Sequence, residues 1–101
     1  LTAIRIPGTW AGAEFYTEKV ADRKVWDFPL VNIASAMKVN GSTIERARIV
    51  VNAVAAQPMR LEAVEQFVAG KPRNEETANA AGDLAVRGAV PLAHNAYKIP
   101  L

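Results

Sequence analysis

The dipeptide Asn40-Gly41 separates two long apolar-rich stretches, Leu30 to Val39 (L-V-N-I-A-S-A-M-K-V) and Ile44 to Ala53 (I-E-R-A-R-I-V-V-N-A), and nothing else in the sequence narrows the fold as much. A two-residue hairpin of type I′ needs positive φ at both central positions, and Asn-Gly tolerates that best. The sequence therefore predicts a long antiparallel hairpin closed at this point. In its first arm Val31, Ile33, Ser35, Met37 and Val39 share one face, and Ala34 and Ala36 leave the other small enough for a second layer to approach closely. In the return arm Glu45, Ala47, Ile49, Val51 and Ala53 read as the inward set. Arg46 and Arg48 then stand together on the outer side, as an anion site or as the solvated face that strand arginines usually form.

A lone hairpin is marginal in water, so the rest of the chain has to cover it. Upstream, Glu14 to Ala21 (E-F-Y-T-E-K-V-A) alternates as a strand; if Tyr16 and Val20 face the core, Lys19 is directed away from it. Leu1 to Ile6 also reads as a strand, stopped by Pro7-Gly8, with Trp10 either a ligand platform or, as loop aromatics more often are, the cover of a seam between loop and core. Downstream the periodicity becomes helical. Leu61, Val64, Phe67 and Val68 form one stripe, ended by Gly70 and Pro72. Asn74 is a good N-cap for a second helix to about Arg87, with Glu75 and Glu76 in the turn where the macrodipole favours acids. Its stripe is small (Ala78, Ala81, Leu84, Ala85), Gly88 ends it, and Asn95 caps a short third helix. The predicted fold is α+β: an antiparallel sheet of about four strands followed by about three helices packed on one face.

At 101 residues the chain has room for one core and one domain. It has no cysteine, which removes thiolate metal sites and disulfides, and one histidine, His94, read as a surface or capping residue. The net charge of +2 is dispersed and gives no nucleic-acid footprint. No apolar run approaches the roughly 20 residues of a membrane span, so a soluble, cytoplasmic setting is expected. The strand-like opening at Leu1 suggests a stretch of a longer chain. Phosphate-binding glycine loops, zinc-protease motifs and nucleophile elbows are absent, and Ser35 and Ser42 have no base nearby. Asp22 and Asp27 flank Arg23 and Lys24, so local pairing is expected to keep them ionised. This inventory supports a ligand better than it performs catalysis, and no catalytic residue or metal ligand is assigned. The stretch Glu18 to Ala34 carries Lys19, Arg23, Lys24, Trp26 and Asp27 in or beside a connection between two strands, and that variety marks it as the functional edge.

The segments L-T-A-I-R-I-P, Y-T-E-K-V-A-D-R-K-V-W-D-F-P-L-V-N-I-A, V-N-G-S-T-I-E-R-A-R-I-V-V-N-A-V-A-A-Q-P-M-R, A-V-E-Q-F-V-A-G-K-P and P-L-A-H-N-A-Y-K, in that order, resemble the C-terminal domain of the FAD-containing medium subunit in the molybdopterin hydroxylase family. That family includes xanthine dehydrogenase and carbon monoxide dehydrogenase. The resemblance implies that residues 1–101 are one domain following an FAD-binding domain in the same chain, and that they close one side of the flavin site. It implies that Leu1, Lys19, Trp26 and Asp27 approach the FAD, and that Arg23, Lys24 and Phe28 belong to a mobile loop beside it. Trp26 and Phe28-Pro29 depart from the common pattern of that loop. It further implies an iron-sulfur subunit and a molybdopterin subunit as partners, with electrons passing from the clusters through FAD to an acceptor. A different class of function, a stand-alone binding or dimerisation module, is motivated by the small-residue faces at Ala34, Ala36, Ala78 and Ala81.

Overall fold

A computed structural model describes all of residues 1–101. Four strands, β1 (Glu14–Val20), β2 (Val31–Asn40), β3 (Thr43–Asn52) and β4 (Met59–Arg60), form one antiparallel meander in sequence order. Two helices follow, α1 (Glu62–Val68) and α2 (Glu75–Ala85), with single 3-10 turns at Gly8–Trp10 and Ala96–Lys98.

The central hairpin forms, with a different turn. Asn40 pairs with Thr43, so Gly41 and Ser42 are the turn residues, and of these only Gly41 has positive φ (60°). Glycine at the first central position is the signature of type II′ rather than the expected type I′. The inward set of β3 also differs. Lys38 pairs with Arg46 but Val39 pairs with Ile44, leaving Glu45 as an extra residue in a β-bulge. The bulge reverses the alternation, so Ile44 and Ala47 both turn inward and are buried. Strict period-2 reading had placed Ile44 outside.

Ile44 and Ala47 meet Val64 and Val68 of α1, and Met37, Ile49, Leu61, Phe67, Ala81, Leu84 and Ala85 pack around them. The helical stripe thus docks as its spacing predicts. Asn74 caps α2, its Oδ1 accepting the Thr77 N–H at 2.9 Å. Between the helices the chain pairs with the start of β3: Ile44 N–H donates to the Lys71 carbonyl, and Gly70 N–H donates to that of Ile44. Arg73 then reaches β1 in a two-pronged ion pair with Glu14, at 2.8 and 2.9 Å.

Three further expectations are corrected. Leu1 to Ile6 is unpaired, with Leu1, Ile4 and Ile6 exposed; the fourth strand is instead Met59–Arg60, following Pro58. The third helix shrinks to one 3-10 turn, and the Asn95 side chain accepts the Leu92 N–H at 2.6 Å instead of capping forward. The second helix stops at Ala85, short of Arg87.

The helices cover β3 and leave the β1–β2 half of the sheet bare. The slab measures 42 × 40 × 23 Å, with a radius of gyration of 15.0 Å against about 12.7 Å for a compact chain of this length. Its accessible surface is 7826 Å², where about 5,600 Å² is expected of a free-standing globule of this mass. Much of the excess is apolar, including Phe15, Tyr16, Val25, Trp26 and Phe28.

Candidate functional site at the β1–β2 loop

Residues directly opposed across antiparallel strands share a face. Met37 packs on the core, so Ile33, Ser35, Met37, Tyr16 and Glu18 lie on the helix side, and Lys19 lies on the opposite face, as alternation predicted. Lys19 stands in register with Asn32 of β2, which stands in register with Asn52 of β3. This polar row crosses the far face at one end of the sheet. The Asn32 Oδ1 is enclosed and has no hydrogen-bond partner, while the Asn52 Oδ1 accepts the Ala53 N–H at 2.8 Å. Lys98 reaches the same end and donates to the Ala53 carbonyl at 2.9 Å, where Ala53 itself has φ 66°.

The loop over that end is closed at its base by Leu30 N–H donating to the Val20 carbonyl, 2.7 Å. Inside it the polar groups bind one another. Asp27 Oδ2 accepts the backbone N–H of Arg23 at 2.8 Å, the Arg23 guanidinium donates to the Trp26 carbonyl, and the Lys19 ammonium donates to the Asp27 carbonyl. Trp26 has φ 54°, a conformation that costs a side-chain-bearing residue about 1 kcal/mol or more. The three bonds converge on the Trp26–Asp27 segment and hold it there. Its apolar side chains point outward: Trp26 is 92% exposed, with Val25 and Phe28 also exposed, whereas Asp27 is half-buried.

The structure therefore brings Lys19, Arg23, Trp26 and Asp27 together. Lys24 and Phe28 are exposed on the same loop and join no bond in it. Leu1 is fully exposed and no hydrogen bond or strand pairing ties its segment to Lys19. The expected pairing of Asp22 and Asp27 with Arg23 and Lys24 is replaced: neither aspartate is in an ion pair, and Asp27 is held by a backbone N–H.

Two clusters escaped the sequence reading. Trp10 lies beneath Arg46, 4.6 Å from its ring centroid, with Arg48 at 5.9 Å, and Arg46 also donates to the Thr9 carbonyl. Both arginines are exposed, as a solvated strand face is, and also stack over Trp10, which therefore covers the outer face rather than a core seam. Glu65, only 7% exposed, accepts Arg60 Nη2 at 2.6 Å and the Ile49 N–H at 2.9 Å. The Arg60 hydrogen bond leads in holding its carboxyl below the usual range; burial opposes the shift, and the Ile49 N–H and nearby arginines add to it. A carboxylate inside the helical stripe between Leu61 and Val68 was a legible sign of such a clasp.

On this chain the donor set suits an anionic or carbonyl-rich flat ligand: an ammonium and an exposed indole on one rim, with the Arg23 guanidinium turned back onto the loop. These groups form a wall and not a cavity. A shallow pocket of about 330 Å³ lined by Glu14, Phe15, Tyr16, Ser35, Met37 and Arg73 sits at β1 and β2 beside the hairpin end, away from Lys19. A bound FAD would need its main holder elsewhere, and Lys19 with the loop could supply one side. No helix is long and apolar enough to cross a membrane.

Residues 16–101 match the family model of the CO dehydrogenase flavoprotein C-terminal domain. The chain belongs to that family. Over all 101 residues it is 30% identical to the aldehyde oxidoreductase FAD-binding subunit PaoB of Escherichia coli (strain K12), of which it spans 28%. Quinoline 2-oxidoreductase from Pseudomonas putida 86 has a similar structure (TM-score 0.81, 26% identity, 89% of this chain and 33% of that one). So does carbon monoxide dehydrogenase from Hydrogenophaga pseudoflava, in a form lacking the Mo-pyranopterin moiety of the molybdenum cofactor (TM-score 0.78, 31% identity, 89% and 32%). The chain thus spans between 28% and 33% of the length of these relatives. Its matched span includes Lys19 and the whole loop but not Leu1.

Proposed function

We propose that this domain closes one side of an FAD site in a molybdopterin-dependent oxidoreductase, with the far-face end of β1 and the β1–β2 loop as the closing surface. The FAD would be held mainly by a preceding domain of the same chain. An iron-sulfur subunit and a molybdopterin subunit would be the partners, with substrate oxidised at the latter. FAD, when bound, supplies the relay of electrons between the clusters and the final acceptor. The residues of this chain bind, orient and shield. The Lys19 ammonium has three donors and spends one on the Asp27 carbonyl, so it can hold a second acceptor on the ligand without releasing the loop. Placed against the anionic edge of a reduced ring, it favours that form electrostatically. Trp26 and Phe28 lay apolar area over the ligand and exclude water, which strengthens the ammonium's effect. Asp27 acts through its backbone carbonyl and Leu1 as an apolar contact from the lead-in.

The observation that carries this reading is the coincidence on one rim of a lysine, a self-bonded loop and an exposed tryptophan, inside the span that matches a flavoprotein family. Replacing Lys19→Met in the full chain tests it. Flavin content per chain and flavin midpoint potential should both fall; a variant that keeps both at wild-type values removes Lys19 from the site.

A further inference from the structure

We propose that Arg23 is the positioning residue of the site, fixing the Lys19 ammonium through the Trp26–Asp27 segment without itself touching the ligand. The inference rests on the flavin-rim reading above and adds to it a device in the chain's own residues.

Lysine has four rotatable side-chain bonds, and an exposed ammonium at a strand end would sample many positions. Here it is fixed by the Asp27 carbonyl, so the precision of Lys19 is that of the Asp27 backbone. That backbone lies next to a tryptophan at φ 54°, which would relax without restraint. The two restraints other than the Lys19 bond itself come from Arg23. Its guanidinium donates to the Trp26 carbonyl and its backbone N–H donates to the Asp27 carboxylate, so one residue grips the carbonyl of the strained residue and the side chain of the next. No acidic side chain pairs with the Arg23 guanidinium, although Asp22 is its neighbour in sequence. An arginine serving only solubility would not carry this arrangement, and a lysine side chain, one bond shorter, does not bring its ammonium to the position of the Nη2 that bonds the Trp26 carbonyl.

The test separates position from charge. In the flavin-loaded full chain, Arg23→Lys keeps the charge and loses the long reach to the Trp26 carbonyl, and Arg23→Gln loses both; each keeps the backbone N–H that holds the Asp27 carboxylate. If Arg23 positions Lys19, both variants should weaken the preference for the reduced flavin about tenfold, about 30 mV for a two-electron couple. Adding Arg23→Lys to Lys19→Met should then shift the potential no further. An effect in Arg23→Gln that Arg23→Lys does not share would mean through-space charge and overturn the proposal. So would an Arg23→Lys shift that persists undiminished in the Lys19→Met background. If Lys19→Met alone leaves the potential unchanged, the rim reading fails first; if it shifts the potential and Arg23→Lys does not, only the positioning role is lost.

Discussion

The β3–α1 half and the β1–β2 half of the domain are held together by different means. The first has the buried residues: Ile44 and Ala47 against Val64 and Val68, clasped by Glu65. The second has strand pairing and a loop whose polar groups satisfy one another, while its aromatic residues face outward. Burial therefore concentrates stability in one half and leaves the other free to present chemistry. The separation predicts that substitutions in the two halves move different observables.

The largest effect on folding belongs to the core. Ile44→Ala should cost about 3 kcal/mol, because the cavity opens where the bulge has inserted the side chain between sheet and helix. Thermal denaturation should show it as a drop of at least 10 °C, roughly, for a domain of this size. A loss like that of a surface site would put the core elsewhere.

Glu65→Ala comes next, at about 2 kcal/mol. Arg60 is 40% exposed and can return to water, so the lasting penalty is the Ile49 N–H left without an acceptor. The pH dependence has a definite sign. A carboxyl whose pKa is depressed on folding stabilises the protein above its unfolded value, near 4.5, and the contribution is lost as pH falls toward the lower folded value. Urea denaturation of the wild type should weaken through that acid window, and the Glu65→Ala chain should weaken less. Parallel pH profiles would show that Glu65 is not the linked group.

On the other half, Trp26→Gly should raise stability slightly or leave it unchanged, within about 1 kcal/mol. It removes a positive-φ side chain that buries nothing, against glycine's greater freedom when unfolded. The same variant should retain less flavin in the full chain. A clear fall in stability would mean that Trp26 packs, and would dissolve the distinction between the halves. Lys19→Met should change stability least, by under about 0.5 kcal/mol, while altering the flavin.

The legible parts of this fold were those set by short-range rules. The helical stripe from Leu61 to Val68, the Asn74 cap and the alternation that turned Lys19 from the core all follow from local periodicity. The bulge at Glu45 was not legible, because an extra residue in one strand has no composition of its own and shows only when both strands are paired. Leu1 to Ile6 misled for the converse reason: strand-like side chains do not make a strand without an edge to pair with. At the site, the sequence marked the residues of the loop but not its wiring. That Asp27 offers Lys19 its carbonyl rather than its carboxylate depends on the backbone turn at Trp26, which no residue pattern near it specifies.

Hydroxyl-radical footprinting of the full chain, with and without FAD, tests the central claim most directly. Trp26 and Phe28 are almost fully exposed on the domain itself, and Met59 on β4 provides a half-exposed internal reference in the other half. The account predicts that FAD strongly protects Trp26 and Phe28 and leaves oxidation of Met59 unchanged. Equal oxidation of Trp26 in the loaded and stripped chains would contradict it, since the flavin would then lie against some other surface.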